Sequence, residues 1–147
     1  MIKVDRNHPE LPSILEKLPS IIAHFMGSLK NKGFATHEPE KLAEYIFRHI
    51  DGSLDELQLY TVGPCIVAFN VAAHWWSPSP MLVEELIVRY KPGDFADTVR
   101  GLEQHALSLG CKTLVISSLA QRRGDSYGEY LKRKGFREVA REYVKGL

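Results

Sequence analysis

Cysteine is scarce: the 147-residue chain holds 2, Cys65 and Cys111, and neither belongs to a set with metal-ligand spacing. A disulfide-stapled or zinc-built fold is excluded, and both thiols read as reduced core residues in a reducing compartment. Charge of one sign is missing too. With 19 Lys and Arg against 18 Asp and Glu the formal net charge is +1, and the basic clusters at Arg122–Arg123 and Lys132–Lys134 are short. No nucleic-acid partner is expected. No apolar run reaches the roughly 20 residues of a membrane span, and Ile2 to Pro9 is too polar for a signal peptide. A cytoplasmic protein with no membrane partner is the expectation. Repeats and low-complexity segments are also absent, and 44% hydrophobic with 25% charged residues suits one soluble domain spanning 1–147.

What is present centres on Met81 to Gly110. Leu82, Val83, Leu86, Ile87 and Val88 form a near-continuous apolar run, the pattern of a strand covered on both faces. A turn with Pro92 and Gly93 follows. Asp94 then stands where it caps a helix whose Phe95, Val99, Leu102, Ala106 and Leu109 recur at helical spacing, with Gly110 as its stop. Cys111 to Ser118 is a second strand. Strand, helix and strand with tight junctions make one βαβ unit, so the two strands run parallel with a right-handed crossover.

The rest of the chain surrounds that unit. Ile2 to Val4 reads as a short edge strand. Leu11 to Leu29 has a helical apolar period interrupted by Pro19, which predicts a kink or two abutting helices. Glu38 to Ile50 is a second helix with Pro39 in its first turn. A strand at Leu57 to Thr61 and another at Cys65 to Ala73 flank Gly63 and Pro64, an antiparallel hairpin. His74 to Pro80 is a loop, Leu119 to Asp125 a basic loop, Ser126 to Lys134 a short helix closed by Gly135, and Phe136 to Lys145 a last strand. This order gives an α/β domain with a mixed sheet.

Three stretches, VEELIV at Val83 to Val88, LEQHALSLGCKTLVI at Leu102 to Ile116 and YLKRKGFREV at Tyr130 to Val139, together resemble the GNAT superfamily of acyl-CoA-dependent N-acyltransferases. The likeness covers the C-terminal half; the N-terminal half matches in element order. It implies a mostly antiparallel sheet with a central, splayed parallel strand pair flanked by helices, and acetyl-CoA as co-substrate, its thioester lying in the splay. Its pyrophosphate would rest on amides before the helix that follows the first parallel strand, where unpaired N–H groups and a positive dipole end favour an anion. The family's loop runs Arg or Gln, two residues, Gly, one residue, Gly or Ala. Aligned on Gly93, it places Tyr90 at the basic position and Phe95 at the second small one; a shifted alignment uses Ala96. Asp94 adds a carboxylate there, to be tied up as the helix cap.

Acyl transfer to an amine needs a base, oxyanion donors and an acid. By resemblance the base is Glu84 and the oxyanion donor a main-chain N–H between Leu86, Ile87 and Val88; Ser117 and Ser118, at the end of the second parallel strand, are placed to line the coenzyme cleft, and Arg122 and Arg123 either reach its phosphates or form a solvated loop. Glu84 and Glu85 face opposite sides because side chains alternate along a strand. The family's acid is a Tyr four residues before the final Gly-Phe pair; Leu131 holds that position here, and Tyr130, one place earlier, or Tyr127 would substitute. His74, Trp75 and Trp76 form an aromatic loop suited to a ring or cation, or to covering a core edge or a protein contact. His24, His37, His49 and His105 have no partners at metal spacing. The expected acceptor is an amine of a small molecule or a protein. The last strand, lacking a further hairpin partner, leaves an edge that invites a homo-oligomer or a larger assembly. The alternative is a GNAT-fold binding or structural protein without catalysis, similar to compact proteins encoded by bacteriophages, some of which serve in particles.

Overall fold

The computed structural model describes residues 1–54, 57–117, 124–139 and 143–147. Its elements are β1 (Ile2–Lys3), α1 (Leu11–Asn31), α2 (Pro39–Asp51), β2 (Gln58–Val62), β3 (Cys65–Ala72), β4 (Met81–Arg89), α3 (Phe95–Ser108), β5 (Thr113–Val115) and α4 (Gly124–Arg133). The five strands form one sheet in chain order, antiparallel throughout except for the parallel pair β4–β5. No described helix is long and apolar enough to cross a membrane.

Each face of the sheet carries its own core. On one side Ile14, Leu18 and Ile22 of α1 and Ile46 and Ile50 of α2 pack on Leu59 and Ile66. On the other, Leu102 and Ala106 of α3 cover Val62, Val67, Phe69, Leu82 and Ile87. The apolar density of β3 follows from this: Ile66 and Ala68 serve one core while Cys65, Val67 and Phe69 serve the other. The thiols of Cys65 and Cys111 are both free and buried.

Local chemistry sets the boundaries. The tight β2–β3 connection turns at Gly63, whose φ is +56°. α2 ends on Gly52 in the left-handed region. Asp94 caps α3, its Oδ1 accepting from the Ala96 N–H at 2.9 Å. α3 lies close to β2 because Gly101 has no side chain: a Cβ there would meet Val62 Cγ1 at 2.4 Å. Thr98 Oγ1 donates to the Val62 carbonyl at 2.8 Å in the same contact.

Three expectations need correction. The helix α1 runs unbroken through Pro19, so there are not two abutting helices; tertiary packing of Ile14, Leu18, Ile21, Ile22 and Met26 holds both halves. The second strand of the βαβ unit is shorter than Cys111 to Ser118, with pairing confined to Thr113–Val115. A last strand at Phe136 to Lys145 is not seen among its described residues: 136–139 and 143–147 are irregular. Val139 and Tyr143 are 81% and 89% exposed, so neither buries a face that would enforce strand geometry, and residues 140–142 lie outside the described residues.

Candidate functional site

Among the described residues the parallel pairing takes in the first three residues of β4 and all three of β5. Met81, Leu82 and Val83 pair with Thr113, Leu114 and Val115, and β4 then continues for six residues, Glu84 to Arg89, beyond the last described pair. A register shift coincides with the parting. Ala68 pairs with Leu86 and Phe69 with Glu84, leaving Glu85 unmatched, a β-bulge of the kind that bends and twists its strand. Glu84 sits at the parting point. It is 6% exposed, and its Oε2 accepts from the Ser117 N–H at 3.0 Å. Burial pushes its carboxyl up to about 7, opposed in part by the Ser117 hydrogen bond and reinforced by the neighbouring Glu85 carboxylate. The two glutamates face opposite sides, Glu85 being exposed toward the α1/α2 side, where it lines a cavity.

At the start of α3 the geometry is crowded by aromatic rings. Phe95 lies 5.7 Å from Tyr127 and 5.5 Å from Tyr130 between ring centroids, at steep tilts. The hydroxyls of Tyr127 and Tyr130 are both shielded from solvent and have no hydrogen-bond partner among the described residues. Burial, then the Glu84 carboxyl nearby, raises the Tyr127 phenol; burial, then Asp94, raises that of Tyr130. Both phenols therefore keep their protons at neutral pH. Tyr127, unlike Tyr130, feels Glu84. Tyr130 instead belongs to the Asp94 end of the group, with the Lys134 ammonium 5.6 Å from its ring.

The loop residues divide. Tyr90, placed by alignment at the basic position, points the other way: it is 5% exposed in the α1/α2 core and donates to Glu10 Oε2 at 2.7 Å. Lys91 is also taken, 2.8 Å from both Glu10 oxygens. Gly93, at φ +156°, faces Pro64, where a Cβ would approach to 2.8 Å; close packing against the hairpin turn requires that glycine, whatever else it does. Asp94 and Ala96 are engaged with each other in the cap. Ile87 fills the α3-side core, Val88 packs on the opposite one and Leu86 lines the cavity, so any ligand role of these three belongs to main-chain groups. Ser118, Arg122 and Arg123 lie outside the described residues.

Elsewhere, Trp75 and Trp76 are 97% and 61% exposed, with His74 stacked on Trp76 at 5.1 Å, so this loop does not cover a core edge. Among the described residues no group of three or more His, Cys, Asp or Glu is placed to hold a metal. Sequence reasoning passed over His8. It is buried, its Nδ1 accepts from the Glu10 N–H at 3.0 Å, and its Nε2 therefore donates to Thr61 Oγ1 at 2.7 Å. Burial depresses its pKa. A partner 53 positions away leaves no trace in a local pattern.

No family model matches the sequence, and no curated protein matches it. Solved structures do. An integron cassette protein from the mobile metagenome of V. cholerae superposes with a TM-score of 0.57 at 14% identity, over 97% of this chain and 88% of that one. A protein of Arthrobacter sp. FB24 described as an acetyltransferase gives 0.55 at 11%, over 90% and 86%. An aminoglycoside acetyltransferase from an uncultured soil metagenomic sample, solved with sisomicin, gives 0.54 at 13%, over 99% and 93%. Likeness at these identities shows a shared fold and no more, and within it the parallel pair β4–β5 lies at one edge of the described sheet.

Proposed function

We propose that this chain is an acyl-CoA-dependent N-acyltransferase that moves an acetyl group from acetyl-CoA to an amine of a small molecule or protein. The carrying observation is the buried Glu84 carboxyl, with a pKa of about 7, at the point where β4 and β5 part. A base is most effective when its pKa lies near the working pH, because it is then both present in the active form and strong enough to take a proton. Bound acetyl-CoA supplies the activated thioester carbonyl. Glu84 takes the ammonium proton of the acceptor, directly or through a water. As the new amine–acyl bond forms and the thioester C–S bond breaks, Tyr127, which keeps its proton at the hydroxyl on the Glu84 side of the gap, is placed to give it to the departing thiolate. Main-chain groups of Leu86 to Val88, beyond the last pair with β5, and the N-terminus of α3 would hold the coenzyme. With its carboxylate engaged by the Ala96 N–H, Asp94 opposes an anion there less than a free carboxylate would.

A second reading, a GNAT-fold binding or structural protein without catalysis, draws on two observations. Phe95 occupies the first turn of α3 where the family has a small residue, and the side chain at the basic position, Tyr90, is committed to Glu10. Acetyl-CoA titration separates the readings. Occupancy at 100 times the dissociation constant stabilises a protein by about 2.7 kcal/mol, and no rise in melting temperature at millimolar acetyl-CoA would leave the non-catalytic reading alone. Where binding occurs, Glu84→Gln should lower thioester turnover across an amine panel by about 10²- to 10⁴-fold; an unchanged rate removes Glu84 from the chemistry.

A further inference from the structure

Between α1, α2 and the sheet, on the face opposite α3, lies a cavity of about 190 Å³. Its walls are apolar, with Ile14 and Leu18 from α1, Ile46 from α2 and Ile66 and Ala68 from β3 among them. Glu85 is its one exposed lining residue. The bulge puts it there: the residue unmatched in the β3–β4 ladder carries its carboxylate to the rim. Among the described residues that carboxylate has neither a hydrogen bond nor a cation.

Size and charge together specify an occupant. An apolar cavity of about 150 Å³ stays dry and accepts a benzene ring, so 190 Å³ takes an aryl ring with one or two further carbons. A bare hydrocarbon would leave the rim carboxylate to water alone; a ring carrying an ammonium group adds a charge-assisted hydrogen bond to it. We propose that this cavity binds a hydrophobic primary amine, its apolar body among Leu18, Ile46 and Ala68 and its ammonium at Glu85. The site lies across the sheet from Glu84, and its occupation does not depend on acyl transfer. Failure of acetyl-CoA to bind would leave this inference standing, and the reverse also holds.

The test is calorimetric titration of the intact protein with three probes: 2-phenylethylamine, 2-phenylethanol and ethylamine. The expected result is saturable binding of 2-phenylethylamine, 2-phenylethanol weaker by about two- to fivefold as befits a solvent-exposed ion pair, and no binding of ethylamine. Glu85→Gln, an exposed substitution, should equalise amine and alcohol. Ala68→Leu should abolish both by filling the cavity. Absence of saturable 2-phenylethylamine binding, or ethylamine binding as tightly as the aryl amine, would overturn the proposal. So would an amine preference that survives in Glu85→Gln, a measurement that stands even where Ala68→Leu fails to fold.

Discussion

Replacing Glu84 with Gln should stabilise the protein, and by an amount that depends on pH. The carboxyl titrates at about 7 when folded against an ordinary 4.5. Between those values the folded chain binds this proton more tightly than the unfolded chain does, so acid favours folding. Stability is lost as pH rises from 4.5 through 7. At 1.36 kcal/mol for each tenfold change in proton affinity, the full penalty of ionising Glu84 in place is about 3 kcal/mol. Gln is isosteric and keeps a carbonyl oxygen for the Ser117 N–H, so the hydrogen bond survives while the buried charge does not. Urea unfolding from pH 4 to 8 should show wild type and variant nearly equal at pH 4, then diverging to about 3 kcal/mol at pH 8. The slope against denaturant should stay unchanged. In melting temperature the divergence is about 6–12 °C at this chain length. Curves that stay parallel across the range would mean that Glu84 is not desolvated where β4 leaves β5. The same variant, more stable at pH 8, is the one expected to lose turnover, so stability and activity should move in opposite directions.

The tyrosines can be told apart by activity: Tyr127→Phe should cut turnover by at least about tenfold while Tyr130→Phe leaves it near wild type, with acetyl-CoA affinity measured alongside. Neither change should destabilise by more than about 0.5 kcal/mol, because the hydroxyls removed have no described partner. Gly101→Ala should cost about 1–2 kcal/mol in thermal or urea unfolding, overpacking against buried Val62 outweighing the gain in helix propensity. His8, whose folded pKa is depressed, stabilises above the ordinary 6.5, and that contribution is lost as pH falls through its lower folded value. Protonation puts a donor at Nδ1 facing the Glu10 N–H. In a Glu84→Gln background stability should therefore fall on acidification below about pH 6.5, and His8→Ala should flatten that limb.

Where local chemistry decides, the chain was readable. The Asp94 cap, the Gly63–Pro64 hairpin, the doubly covered β4 and the parallel partner after α3 all follow from spacing and turn residues within a dozen positions of one another. Glu84 was a candidate by family resemblance, and its placement opposite Glu85 was legible from alternation alone. Long-range pairing was not. Nothing local shows that Tyr90 reaches Glu10, 80 residues away, or that the Ser117 N–H takes the Glu84 carboxylate. Gly93 shows how one residue satisfies two accounts: the contact with Pro64 demands a glycine as firmly as a phosphate loop would. The expected last strand is not seen in its described residues for the opposite reason: Val139 and Tyr143 repeat with no surface to bury them on.

The parting of β4 from β5 has a physical consequence that joins stability to function. Among the described residues the β4–β5 ladder stops after three pairs, and main-chain groups without a partner are costly when shielded from water. The Ser117 N–H escapes that cost because the Glu84 carboxylate stands in for the missing strand. The substitute is a titratable group in an apolar setting, so it holds the N–H most strongly when ionised, the form burial resists. An apolar side chain at this position would leave the N–H unanswered, and an amide would answer it without ever taking a proton. Only a carboxyl both completes the local hydrogen bonding and remains able to accept a proton near neutral pH, and the bulge at Glu85 bends β4 at the very next residue.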